Sequence, residues 1–483
     1  MASKSGILAG TLLSFCLAAP VNLRAQSNLR LATSSAQNPI YGSVAAPPVT
    51  AAPIQLSLTN AVNRGLDHNL AISLAQQNQR ANSGQILSAF NALMPDMTVQ
   101  AQTGTQSIDL AALGFKGSVL TQLGSVLHLP AGTVIPAIVK VNTTGAQLNL
   151  SQPIFNLPAI EYYRAAKAYA RVADLDTLNT RGNVVLLVSS AYLQTLAAAS
   201  QLRNEQALLR SDETAFNQAK DAHSAGVATN LDELRARVQY QRQQQSLVSA
   251  ENTFAKDKIA LNRMIGLAAD QPIELVDTAP FADLAMLPLD EAKRTAYIHR
   301  KDYTSLQAQV RTAEMLRKAA KYERVPTISM DGYYGVLGET HGLYHGVFNA
   351  QGSINIPVFH EARFRGDREV ADAQLSRLRS QIADLEVTIE SQLRSSMLDV
   401  QATEQLVKVA RSNVDLATQE LSDSNDRFRA GIEDNLPLVQ AEAALAGAQT
   451  QLVNSLFQYN QAKLNLARNT GIIESQYHVF LGQ

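Results

Sequence analysis

The sequence predicts a mainly α protein with a small β part, built from a helix-strand-strand-helix-helix unit that occurs twice. Three observations carry this reading. The chain matches itself at nearly constant offsets, and within each copy the apolar period switches from three or four residues to two and back. After each period-two run comes a proline-free stretch of more than 60 residues.

The repeat is the firmest of the three. Ala225-Gly226-Val227-Ala228-Thr229-Asn230-Leu231 faces Ala430-Gly431-Ile432-Glu433-Asp434-Asn435-Leu436 at an offset of 205. The same offset brings Ala236 to Ala441, Leu261 to Leu466, Arg263 to Arg468 and Gly266 to Gly471. Towards the front, Leu56-Ser57-Leu58 faces Leu287-Pro288-Leu289 and Met94-Pro95-Asp96 faces Val325-Pro326-Thr327, both at offset 231. Pro153-Ile154-Phe155 then faces Pro357-Val358-Phe359 at offset 204, so the first copy carries 27 extra residues between its two prolines. The organisation expected is a signal peptide over 1–25, a disordered lead-in over 26–53, a first repeat over 54–272, a linker over 273–284, a second repeat over 285–475 and a tail over 476–483. The signal reading rests on Lys4, the apolar run Ile7 to Pro20 and small residues at Ala25. Cys16, the only cysteine, would leave with it, which excludes a disulfide or thiolate metal site in the mature chain.

Within a unit, residues 59–94 carry Leu66, Leu70, Leu74, Ile86 and Phe90 at helical spacing until Pro95 stops them. Alternation follows: Met97, Val99 and Ala101 against Thr98, Gln100 and Gln102, then Ala146, Leu148 and Leu150 against Gln147, Asn149 and Ser151. The second unit repeats it with Ile328, Met330, Gly332 and Tyr334, then Phe348, Ala350, Gly352, Ile354 and Ile356. Period two gives each strand one apolar and one polar face, and four strands as two hairpins. Long helices follow over 159–224 and 361–427, with Leu375, Leu378, Ile382, Leu385, Ile389, Leu393, Met397 and Val400 spaced for coiled-coil packing. Sixty-six such residues make a rod of about 99 Å at ~1.5 Å per residue. Gly226 and Gly431 suit the turn, and Asn230 and Asn435 suit the N-caps of the returning helices, with Glu233 at capping-box spacing from Asn230.

Charge and composition narrow the function. Lys and Arg number 41 against 42 Asp and Glu, so no field favours nucleic acid. No stretch after the signal approaches 18 consecutive apolar residues, which argues against a transmembrane helix. Four strands per chain leave open edges that cannot face lipid, so several copies must close the sheet. Two copies give 8 strands with a filled interior; three give 12 with room for a lumen, the favoured count. Enzyme motifs are wanting. His360-Glu361 begins an H-E-x-x-H whose second histidine is replaced by Phe364, and Glu339, His341 and His345 read as a polar hairpin tip rather than a metal site. The insertion, 112–140, reads as a longer external loop or strand extension.

These features together resemble the TolC family of outer-membrane efflux proteins. The duplicated element order carries the likeness, with Leu150-Ser151-Gln152-Pro153-Ile154-Phe155 and Ile354-Asn355-Ile356-Pro357-Val358-Phe359 at the strand-to-helix joins. His223-Ser224-Ala225-Gly226 and Phe428-Arg429-Ala430-Gly431 at the helical tips complete it. The resemblance implies a trimeric 12-stranded outer-membrane β-barrel continuous with a long periplasmic α-helical barrel, without cofactor or catalysis. It implies a homotrimer set in outer-membrane lipid and docked to a periplasmic membrane-fusion adaptor that an inner-membrane pump of RND or ABC type feeds. It also implies a gate at the tips. Asp232 matches a family gate acid, whereas Pro437 and Gln440 stand where members carry acids and Glu433 where they carry a basic partner, so the family's lock does not transfer intact. Glu433 and Asp434 are the substitute acids, Arg235 and Arg429 their candidate partners. Ala225, Gly226, Val227, Ala430, Gly431 and Ile432 are the expected adaptor contacts. The competing reading is a periplasmic coiled-coil scaffold or adaptor without a barrel.

Overall fold

A computed structural model describes residues 35, 37–44, 47–109, 112, 138–277, 281–430, 432 and 435–482. The signal segment with Cys16, most of the insertion, and Gly431, Glu433 and Asp434 lie outside the described residues.

The first unit runs β1 (Ile54–Leu56), α1 (Leu58–His68), α2 (Leu70–Asn91), β2 (Asp96–Asp109), β3 (Ile138–Phe155), α3 (Leu157–Ser224), α4 (Asn230–Met264) and β4 (Ile273–Leu275). The second runs α5 (Leu289–His299), α6 (Lys301–Tyr322), β5 (Thr327–Glu339), β6 (Tyr344–Asn355), α7 (Glu361–Arg429), α8 (Asn435–Asn469) and α9 (Ile473–Leu481). The long helices α3 and α7 have 68 and 69 residues, about 100 Å each at ~1.5 Å per residue. Both the front helices and the return helix of a unit lie along its long helix, so an unbroken column stands beside a broken one.

The expected single helix over 59–94 is two helices. Asn69 leaves the helical region with ψ 134 and caps α2, its side chain accepting from the Ala71 amide at 2.9 Å. Its amide nitrogen donates to the Ile40 carbonyl at 2.7 Å, which explains how a polar residue only 1% exposed is tolerated there. The second unit breaks at Arg300, with ψ 120, at the same offset of 231. There the buried guanidinium donates to both Asp302 oxygens, at 3.1 and 2.6 Å, and to Gln392 at 2.7 Å. Part of the lead-in is also held down: Leu70 donates to the Gly42 carbonyl at 2.9 Å, and the Thr50 amide donates to Gln271 at 2.9 Å.

Two apolar clusters form the core, and the first joins the units by taking in Leu464 and Ile473 of the second. Around β1 and β4, a parallel pair of three residues each, Leu56, Val62, Val188, Tyr192, Leu261 and Ile265 are buried together. The Tyr192 hydroxyl lies 3.0 Å from the Leu56 carbonyl and 2.8 Å from Asp277, which also accepts the Leu58 amide at 2.7 Å. In the second unit Ile389, Leu393, Val400 and Val407 of α7 pack on Tyr459 and Leu466 of α8. Of the coiled-coil candidates, Leu375, Ile389, Leu393 and Val400 are buried and Ile382, Leu385 and Met397 partly so. One stretch of α3 is long and apolar enough to cross a membrane, but 56% of it is buried inside the chain, so it is core helix.

Candidate functional site

The four long strands form one antiparallel sheet in the order β2-β3-β5-β6, so the two expected hairpins are joined through β3 and β5. Register decides what each face carries. Val99 pairs with Leu148, Leu148 with Tyr334, and Tyr334 with Phe348, a continuous apolar row across the sheet. One residue on, Thr98, Asn149, Tyr333 and Asn349 form the matching row of the other face. The apolar row is uncovered: Val99 and Phe348 are each 79% exposed and Tyr334 71%. Such a face in water is a large unfavourable surface, at about 25 cal/mol per Å², unless lipid or protein covers it. On the polar face, Asp331 accepts from Ser151 at 2.6 Å and from Ser329 at 2.9 Å. Among the described residues β2 and β6 are left as edges.

At the opposite end lie the two tips. Ala225 is the C-cap of α3, and Gly226 takes φ +74, a left-handed conformation that glycine reaches without Cβ strain. Val227 donates to the Ala222 carbonyl at 2.9 Å, and at offset 205 Ile432 donates to the Arg427 carbonyl at 3.0 Å. The two turns therefore close with the same bond. Ala225, Gly226 and Ala430 are exposed, as are Val227 at 80% and Ile432 at 72%.

The first tip corrects the capping reading. Thr229, not Asn230, caps α4: its hydroxyl accepts from the Asp232 amide at 3.2 Å, and Asp232 accepts from the Thr229 amide at 3.1 Å. Asp232 also accepts from the Thr229 hydroxyl at 2.6 Å, and that bond chiefly holds its carboxyl below the usual carboxylate range. Arg235 stands 3.8 Å away. Asp232 thus closes a capping box, and Glu233, expected in that role, reaches across the turn to His223 Nδ1 at 2.5 Å. Neither the Thr229 cap nor the His223–Glu233 contact is visible without the turn geometry. Sequence reading also missed an open cavity of about 380 Å³ between the return helices, walled by Leu231, Leu234, Val238, Leu436 and Val439. The spacing of Leu231, Leu234 and Val238 was its available signal. On the second tip, Arg429 ends α7, while Gly431, Glu433 and Asp434 fall outside the described residues. Among the described residues no three His, Cys, Asp or Glu side chains gather to hold a metal ion.

A sheet with one oily and one wet face, carried on paired helical rods in a duplicated chain, defines a TolC-like channel protein. The chain belongs to the outer membrane efflux protein family, which it matches over residues 61–267 and 294–472. It is an outer-membrane channel protein, and the scaffold reading is not favoured. The alkaline protease secretion protein AprF of Pseudomonas aeruginosa is 21% identical over 337 residues, 68% of this chain and 69% of AprF. The probable efflux pump outer membrane protein SepC of Pseudomonas putida is 27% identical over 297 residues, 59% of this chain and 60% of SepC. The crystal structure of the Campylobacter jejuni CmeC outer membrane channel superimposes with a TM-score of 0.73 at 14% identity, over 90% of this chain and 92% of CmeC, and shows the shared fold.

Proposed function

We propose that three copies of this chain close into a 12-stranded barrel through the outer membrane, and that their helices continue it as a tube in the periplasm. The observation that carries this is the sheet, four strands with two edges and an exposed apolar row from Val99 to Phe348. Lipid cannot hydrogen-bond an edge, so a spanning sheet must close, and the polar row then lines the lumen. A second support lies on α7, where Val387, Leu398 and Val409 recur every 11 residues and are 71%, 65% and 57% exposed. An 11-residue repeat keeps one stripe facing a neighbour along a nearly straight helix.

In this reading the chain is a passive exit duct, and a partner supplies the energy. A periplasmic membrane-fusion adaptor docks on the small apolar tips, Ala225, Gly226 and Val227 with Ala430, Gly431 and Ile432, and an inner-membrane pump of RND or ABC type loads it. AprF is named for protease secretion and SepC for efflux, so the cargo class is either a secreted protein or small molecules. The gate lies at the tips, with Asp232 and Arg235 on the first and Arg429, Glu433 and Asp434 on the second.

Reconstitution in planar bilayers tests the duct. Detergent-extracted protein is expected to give discrete conductance steps and to stay with membranes through high-salt washing. Protein that washes off in salt and gives no steps would return the scaffold reading. Neutralising Glu433 and Asp434 is expected to weaken cation preference; an unchanged preference would remove both from the gate.

A further inference from the structure

Above the tips, α8 of the second unit packs against α3 and α4 of the first. At that crossing two acids are buried within one chain, Asp212 at 2% exposure on α3 and Glu442 at 5% on α8. Ser211 donates to one Glu442 oxygen at 3.2 Å, and Gln239 of α4 donates to Asp212 at 3.3 Å. The other Glu442 oxygen, Oε2, is fully buried and has no donor. A buried acceptor without a donor is costly, and the two carboxyls face each other, so a proton held between them is the missing partner.

We propose that Asp212 and Glu442 share one proton and form a pH-sensitive clasp, which holds the return helix of the second unit on the hairpin of the first and releases it when the proton leaves. Two carboxylates this close in a buried site cannot both ionise without strong repulsion. Burial first, and the Asp212 charge second, push the Glu442 carboxyl up to about 7, and burial raises Asp212 as well. Among the described residues no cation offsets them. On α3 the nearby charges are Glu205, itself held by Gln243, and the exposed Arg210 and Glu213. On α4, Arg235 turns towards Asp232 and Arg242 is exposed; on α7, Glu420 and Asp423 are exposed. The clasped form binds a proton that the released form gives up, so holding weakens as pH climbs from the ordinary carboxylate range to about 7. The site lies seven residues into α8, about 10 Å from its start at ~1.5 Å per residue, so its release acts on the tip. Its consequence for opening, though not the clasp itself, rests on the channel reading.

The full chain in detergent tests this. A protonated buried carboxyl is expected as an infrared carbonyl band at pH 6, lost with a midpoint near pH 7 and missing at pH 6 from Glu442→Gln. The protein has no tryptophan, so Phe216→Trp, one turn from Asp212, gives a unique fluorescence reporter. Its emission is expected to shift through pH 7 in the otherwise unchanged chain and to stay fixed in Glu442→Gln, whose amide can donate to Asp212 in place of the proton. Absence of the band, or a shift that persists in Glu442→Gln and in Asp212→Asn, would overturn the clasp. Neither readout needs conductance, so a chain that shows both signals yet forms no pore would sink the channel reading alone.

Discussion

Thr229→Ala removes one hydroxyl from the first tip, and the local geometry fixes the cost. That hydroxyl accepts from the Asp232 amide at 3.2 Å and donates to the Asp232 carboxylate at 2.6 Å. The tip is exposed, so water replaces the lost bonds and the cost is that of a cap, about 1 kcal/mol. At room temperature that is about a fivefold rise in the equilibrium for opening the first turns of α4. Hydrogen exchange read by mass spectrometry is the assay. Amides at 230–236 are expected to exchange about fivefold faster, Thr229→Ser is expected to exchange like the parent, and the second tip is expected to be unaffected. The acid limb has a definite sign. Because the folded-state carboxyl of Asp232 titrates below its ordinary value, its contribution is full above that value and disappears as pH falls through the depressed one. Equal exchange in Thr229→Ala and the parent would refute the reasoning.

Other outcomes stem from buried groups. Arg300→Leu leaves the half-buried Asp302 without its bidentate partner and is expected to destabilise the chain by about 1.5–3 kcal/mol, read from the denaturation midpoint. Burial pushes Asp302 up, but the Arg300 hydrogen bonds and charge outweigh it, so this stability is expected to hold above the ordinary carboxylate value and fade below the depressed one. Tyr192→Phe is expected to cost about 1 kcal/mol, because Asp277 keeps the Leu58 amide when the hydroxyl goes. Phe348→Arg, on the apolar row, is expected to weaken folding into bilayers by about 2–4 kcal/mol, whereas Asn349→Arg on the opposite face is expected to leave it near the parent value.

Much of this architecture is legible in the sequence because each element type has its own period. The alternation of Met97, Val99 and Ala101 names a sheet face directly, and the register across all four strands agrees with it. The breaks at Asn69 and Arg300 escape, since one polar residue does not disturb a three/four pattern and its hydrogen-bond partners are remote in the chain. β1 and β4 escape because three residues carry no period. Thr229 and Asn230 are both good caps, and only backbone geometry chooses between them. Within the candidate site, the exposed small tips were readable from glycine and its neighbours. The box between Asp232 and Thr229 was not, nor was the meeting of Asp212 with Glu442 across two units.

Everything functional turns on whether one chain's sheet is finished by its neighbours. Native mass spectrometry of the protein released from detergent counts the copies directly. A single species of three chains, which needs an amphiphile to stay dispersed, is the predicted result. A lone chain, stable in plain buffer, would contradict it.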